Sequence, residues 1–449
     1  MNKHNITIYI LFLFTIILSS RIFPQASDSL ENINSFPFIV DSIRITGNEI
    51  TKEYIITREL TFGIGDTLTK EAAFYNRERI YSLGIFNHVY LLPEPGDVPG
   101  KNILNIRVEE SWYIYPLPFI DATESDLKKL TYGINLRLKN FRGRNEQLSA
   151  SIALGYDPYF YLNYYTPNIA NKHSIFLNAK VGYADVSNKS PQAELIYGSS
   201  FKHRLIYFQM MLGKRIGLFQ RLFLVSTFNN IETPKYVKGI NASHDRIDNL
   251  LDFGIGYEFD SRDLIQFPRS GFFATGNFTF KGLGVDNINY RILNFDIRDY
   301  TILIDKLVSK WKFVGRMTFG NNIPFYDNSI IGVEQKIRGH ASEKYEGDDI
   351  YIGSVELAYP IIEELNIDLS FIPIIPNKLL SYRLGLYLQT FAETGTAKYK
   401  EQDFQLKRFV SGYGFGVTFL VLPYQVFRVE VGFDKKSKAE LILDLGISF

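Results

Sequence analysis

Chemistry that needs a metal or a nucleophile has no carrier in this chain. The six histidines, His4, His88, His173, His203, His244 and His340, make no metal-ligand spacing, and a Gly-x-Ser-x-Gly elbow, a phosphate loop and an HExxH helix are all absent. The reading is a protein that is not an enzyme and takes no cofactor and no metal. What its residues can do is hold charge and withhold hydrogen bonds. The tetrad Ile337, Arg338, Gly339, His340 offers a guanidinium, which can grip a carboxylate through two hydrogen bonds and stays charged at any relevant pH. In Tyr382 to Glu393, the side chains of Tyr382, Leu384, Leu386 and Leu388 share one face, which puts Arg383, Gly385, Gln389, Phe391 and Glu393 on the other. Asp260 and Arg262 share the inward parity of their own segment and join a polar network there.

Two prolines withhold donors. Pro116 and Pro118, in Trp112 to Asp121, both lack an N–H, and residues two apart aim at the same neighbouring strand. One edge of that strand therefore loses two donors in succession. If it faces the last strand, Ala439 to Phe449, the seam between them is short of hydrogen bonds. In a bilayer that shortage is costly, so such a seam tends to open or to accept an incoming strand.

The elements that position these residues are strands. From Trp112 onward no long helical period appears, and alternating segments are separated by turn clusters. Leu130, Tyr132, Ile134, Leu136 and Leu138 oppose Thr131, Gly133, Asn135 and Arg137, and Leu251 to Asp260 and Phe427 to Asp434 split the same way. Leu441, Leu443, Leu445, Ile447 and the terminal Phe449 share the last greasy face. Charge on the inner face argues against a soluble sandwich, whose inner face would be the apolar one. Counting segments over 111–449 gives about sixteen strands, an even number that suits an antiparallel transmembrane β-barrel. Ser190 to Arg215 reads as one long strand or two short ones.

Composition agrees. The chain has 449 residues, no cysteine, and a net charge of +1, which gives no electrostatic case for nucleic acid. Aromatic residues make 15% of it, mostly Tyr and Phe, and membrane barrels carry aromatic girdles at both interfaces. Residues 1–26 read as an export signal: Lys3 and His4 precede an apolar run from Ile6 to Leu18 that is too short to span a bilayer as a helix. Residues 37–110 have another texture, strand, helix, helix, strand, strand. Phe38 to Thr46 breaks at Gly47-Asn48, Thr51 and Thr69 read as helix caps, each with an acid in the following first turn, and the second helix stops at Leu83-Gly84. The strands Asn87 to Leu92 and Ile103 to Glu109 follow, so the mainly-β chain opens with a compact α+β domain.

The pieces ITGNEIT (Ile45 to Thr51), GDTLT (Gly65 to Thr69), LGIFNHV (Leu83 to Val89) and LNIRVEE (Leu104 to Glu110) together resemble a POTRA domain, the polypeptide-transport-associated module of outer-membrane assembly proteins. NFRG (Asn140 to Gly143), DSRD with PRSG (Asp260 to Asp263, Pro268 to Gly271) and IRGH (Ile337 to His340) are similar to motifs of the BamA/TamA family. That resemblance implies that a loop from about Asn322 to Ile350 folds back into the barrel lumen. It implies also that Arg338 pairs there with Glu393, in the aromatic-x-acid-x-Gly stretch that includes Phe391. His340 departs from the usual aromatic, and Glu393 from the common Asp. The resemblance implies a periplasmic POTRA domain, a barrel in the outer membrane of a diderm bacterium, and unfolded outer-membrane or secreted polypeptides as clients. The lipid bilayer, periplasmic chaperones and accessory lipoproteins are the other expected partners. Insertion of clients at the barrel seam is the leading function, and a two-partner-type secretion pore or a passive structural barrel are the alternatives. A single POTRA domain points to an auxiliary role.

Overall fold

The computed structural model describes residues 36–445 except 97, 123–127, 170–173, 284–287, 334, 341–342 and 374. The expected export signal and Phe449 lie outside the described residues.

The small domain is built from β1 (Phe38–Ile39), β2 (Ser42–Thr46), α1 (Glu53–Thr57), β3 (Thr67–Leu68), α2 (Lys70–Tyr81), β4 (Phe86–Pro95) and β5 (Asn102–Glu110). Its main sheet has the order β2-β5-β4, with β2 parallel to β5 and β4 antiparallel. The stretch read as one strand from Phe38 to Thr46 is therefore two, and β1 pairs with β3 instead. Gly47 is needed after β2. Its φ is +81° and a Cβ there would lie 1.9 Å from Val108 O. Thr69 caps α2 as read, accepting from Ala72 N at 3.2 Å. Thr51 does not cap α1. Lys52 occupies that position without a side-chain bond, because the Thr51 hydroxyl is committed elsewhere: it donates to Glu110 Oε1 at 2.7 Å and accepts from Asn140 Nδ2 at 2.8 Å.

The rest of the chain forms one antiparallel sheet of sixteen strands, β6 (Ile114–Ala122), β7 (Leu130–Phe141), β8 (Glu146–Gly155), β9 (Tyr159–Thr166), β10 (Ile175–Ser187), β11 (Lys202–Ile216), β12 (Gln220–Glu232), β13 (Ile247–Asp260), β14 (Gly271–Leu283), β15 (Asn289–Ile304), β16 (Leu307–Asn321), β19 (Asp349–Asp368), β20 (Ser381–Lys398), β21 (Val410–Leu422), β22 (Gln425–Phe433) and β23 (Ala439–Leu445). The short pair β17 (Ser329–Ile331) and β18 (Tyr345–Gly347) lies in the connection between β16 and β19. Every second side chain points outward, as Leu251, Phe253, Ile255 and Tyr257 do on β13. Ser190 to Arg215 departs from the reading. Ser190 caps a helix, α3 (Pro191–Tyr197), which ends at left-handed Gly198, and only then does β11 begin.

The small domain closes one end of the barrel, the near end. Val40, Ile55, Ile80 and Val89 of the domain share one core with Leu264, Phe267, Tyr387 and Leu422 of the barrel. This explains why α2 buries Asn76, Arg77, Glu78 and Arg79 beside its apolar residues. One face of the helix meets the domain core and the other meets a polar lumen instead of water. Arg77 Nη2 lies 2.8 Å from both Glu78 Oε1 and Glu364 Oε2, and Arg383 Nη1 donates to both oxygens of Glu78 at 2.8 and 2.9 Å. Burial opposes the Arg77 charge, yet Glu78 and Glu364 hold its guanidinium above the ordinary range. Removing one member leaves the rest unpaired out of water. Glu78→Ala is expected to weaken docking of the domain by about 3–5 kcal/mol. Faster amide exchange along α2 and the facing end of β20 would register the loss, and protection equal to the unaltered protein would exclude it.

Candidate functional site

The described residues of 322–348, between β16 and β19, enter the barrel from the far end. Ile337 packs in a buried cluster with Ile331, Ile350 and Ile352, which carries Arg338 into the lumen. There the guanidinium meets three carboxylates on three strands. Arg338 Nε and Nη2 lie 2.9 and 2.7 Å from Glu393 Oε1 on β20, and Nη1 lies 3.2 Å from Glu356 Oε2 on β19 and 2.7 Å from Glu430 Oε1 on β22. Its own backbone N–H donates to Glu393 Oε2 at 2.9 Å. The Phe391 ring centroid lies 3.6 Å from the guanidinium carbon, a cation–π contact. Burial works against the Arg338 charge, but Glu393, Glu356 and Glu430 together hold it above its ordinary range.

One arginine cannot neutralise three carboxylates. Lys310 on β16, fully buried, supplies the second cation at 3.0 Å from Glu356 Oε1 and lies 3.6 Å from the Phe267 ring centroid. Gln389 donates to Glu430 and accepts from Thr418, and Ser354 donates to Glu393 at 3.1 Å. Every group in this polar knot has a partner, the condition under which a buried network specifies geometry.

Glycines let the loop tip come close. A Cβ on Gly412 would lie 1.8 Å from Arg338 O, and one on Gly432 would lie 2.8 Å from Gly339 N. Gly339 itself has φ +93° and sits against the Phe433 carbonyl. His340 closes the contact: its Nε2 lies 3.1 Å from Ser411 O and its Nδ1 lies 3.1 Å from Glu343 Oε2. The departure from an aromatic at this position is thus filled by hydrogen bonds, with an edge contact to Tyr345 retained.

The structure brings together the tetrad, Glu393 and Phe391. Asp260 and Arg262 do pair, by two bonds of 2.8 Å, but at the near end beside the small domain and away from Arg338. Sequence reasoning missed Glu356, Glu430 and Lys310 as partners. Parity places Glu430 on the inner face; what it lacks is the register Gln389↔Gly416↔Glu430 that sets the strands side by side.

The seam is the second feature. β6 and β23 are the two ends of the strand order, and among the described residues no ladder joins them. At one end of this seam the Tyr115 ring of β6 lies 6.1 Å from that of Tyr424, in the turn before β22. Along an extended strand the N–H and C=O of one residue point to the same neighbour and those of the next residue to the other. Tyr113 O accepts from Lys139 N at 2.8 Å, and the β6–β7 register is unbroken from Ile114 to Ala122, so odd positions bond to β7. Pro116 and Pro118 therefore face the free edge. Arg338→Ala, which strands Glu393 and Glu430 in the knot, is expected to cost about 3–5 kcal/mol. Thermal unfolding followed by heat-modifiable gel migration reads this, and an unchanged midpoint would exclude a structural role for the knot.

Residues 140–440 match the model of the Omp85 superfamily domain, and residues 38–111 match that of the POTRA module described as a surface antigen variable number repeat. The fold is similar to that of BamA from Haemophilus ducreyi lacking POTRA domains 1–3, at 17% identity and a TM-score of 0.53, over 91% of this chain and 83% of that one. It is similar also to CdiB from Escherichia coli, at 10% identity and a TM-score of 0.54, over 90% and 74%. A sixteen-stranded barrel with a loop arginine knotted into its lumen and one POTRA domain at its mouth makes this chain a member of the Omp85 family of outer-membrane β-barrels.

Proposed function

We propose that this protein is an auxiliary assembly factor that inserts unfolded polypeptides into the outer membrane of a diderm bacterium at the seam between β6 and β23. The POTRA domain stands in the periplasm and the loop 322–348 enters from the cell surface. The observation that carries this reading is the free edge of β6, where Pro116 and Pro118 leave two successive positions without a donor. Lipid offers no substitute for a missing backbone partner, so this edge is the weakest place in the sheet. A client hairpin that pairs with β23 replaces a deficient neighbour with a complete one. The free energy comes from the client's own folding, with no nucleotide. The outer edge of β2, at one end of the POTRA sheet, is the receiving surface in the periplasm. Periplasmic chaperones and accessory lipoproteins are its proposed partners, and a single POTRA domain suits a specialised client set.

Export of one dedicated polypeptide through the lumen is the competing reading, and a passive barrel the third. The charged ring of Arg77, Glu78, Glu364 and Arg383 favours insertion over export, because it fills the mouth that an exported chain would enter. The chain has no cysteine, so single cysteines placed along Trp112 to Asp121 and along Ala439 to Asp444 form only the intended cross-link. Oxidation is expected to stop insertion of client barrels into proteoliposomes and to leave polypeptide passage unaffected; insertion at full rate through a locked seam would refute the proposal. Depletion in cells separates the readings further: loss of many outer-membrane proteins fits assembly, loss of one secreted protein fits export, and loss of neither fits a passive barrel.

A further inference from the structure

A cavity of about 180 Å³ lies between the POTRA domain and the barrel, and five arginines line it. Arg58 follows α1 and Arg79 stands on α2; Arg215 ends β11, Arg221 begins β12, and Arg262 lies in the turn after β13. Only two carboxylates line it with them, Glu59 and Asp260. Glu59 is shared, accepting from Arg215 at 2.7 and 2.8 Å and from Arg79 at 2.9 Å. Asp260 is taken by both forks of Arg262, and Arg221 reaches out of the cavity to Glu258 at 3.1 Å. Arg58 gets least. Its Nε lies 3.3 Å from Glu59 Oε1 but makes no hydrogen bond. Burial, with the Arg215 charge beside it, pulls the Arg58 guanidinium below its ordinary range despite Glu59.

Five cations facing Glu59, Asp260 and Glu258 leave two positive charges without a carboxylate. Uncompensated charge at a partly buried interface is costly, and the space far exceeds what one water needs. Guanidinium forks match the oxygens of a tetrahedral oxyanion, and such charge-assisted bonds are the strong ones. We infer that this cavity binds a phosphate-class dianion, whose two charges complete the balance and which ties the POTRA domain to the barrel. Arg58 and Arg221, the two guanidiniums least engaged with the lining carboxylates, are its principal ligands. Either free inorganic phosphate or the phosphate of a monoester supplies this chemistry.

The test is calorimetric titration of the full chain in detergent with inorganic phosphate and, separately, with glycerol 3-phosphate, in chloride buffer. Saturable binding is expected, weakened roughly tenfold or more by Arg58→Gln with Arg221→Gln, since each removes a charge-assisted contact. Tighter binding of glycerol 3-phosphate than of phosphate identifies a monoester as the ligand, and the reverse identifies the free ion. Heat-modifiable migration checks that the double variant is folded. Should it not fold, Arg221→Gln alone must weaken phosphate binding, because that side chain keeps much of its surface in solvent. Absence of saturable binding, or equal binding by the altered proteins, overturns the inference.

Discussion

Hydrocarbon offers a peptide group nothing to bond to, and the barrel follows from that one constraint. Within the sixteen-stranded sheet each strand between β6 and β23 has a partner on both sides, and the outward side chains are apolar while the inward ones need not be. A closed sheet has one place where the constraint can be relaxed without unravelling the rest, the join between the first and last strands. The prolines of β6 stand at that join. The same residues inside the ladder would break it from within, since a central strand needs donors on both edges.

A polar lumen then poses the opposite difficulty, because charges drawn together in it must be matched. Glu356, Glu393 and Glu430 stand on three strands that approach the seam, and left alone they would repel one another. Arg338 joins all three, so the loop works as a clasp across the part of the barrel next to the seam. Glycines at 412 and 432 are the complement of that clasp, since any side chain there would meet the backbone of the loop tip. Fork geometry and close approach depend on each other: without the glycines the guanidinium could not reach Glu430.

Much of this was legible in the residues. Alternation marked the strands and their faces, because a period of two is forced by the pleat whatever the tertiary context. Parity alone put Glu393 and Phe391 inside, and the prolines could be read as missing donors without any structure. Their direction could not, because it depends on which neighbour Tyr113 bonds. Thr51 shows how a local signal loses to a distant partner: it has the residue type of a cap, but Glu110 and Asn140 claim its hydroxyl from far along the chain. α3 is the converse, since Ser190, Pro191, Glu194 and Gly198 form a complete local helix signal that the surrounding strand rhythm obscured. Polar α2 made sense only once its second face was seen to meet a charged lumen.

Docking also couples the two ends of the mechanism. Tyr424, whose ring faces Tyr115 across the seam, donates to Lys378 O at 2.7 Å, and Asn87 of the POTRA domain donates to the same carbonyl at 2.8 Å. His88 reaches Ser381 at 2.8 Å just beyond. A movement of β4 that releases Lys378 therefore removes a support of the turn between β21 and β22, at Tyr424, the residue immediately before a strand that pairs with β23. Rigid, hydrogen-bonded elements pass such displacements on because they have few intermediate arrangements. Because β6 and β23 are joined by no ladder among the described residues, a domain that lets go of its carbonyl loosens the barrel first beside that seam.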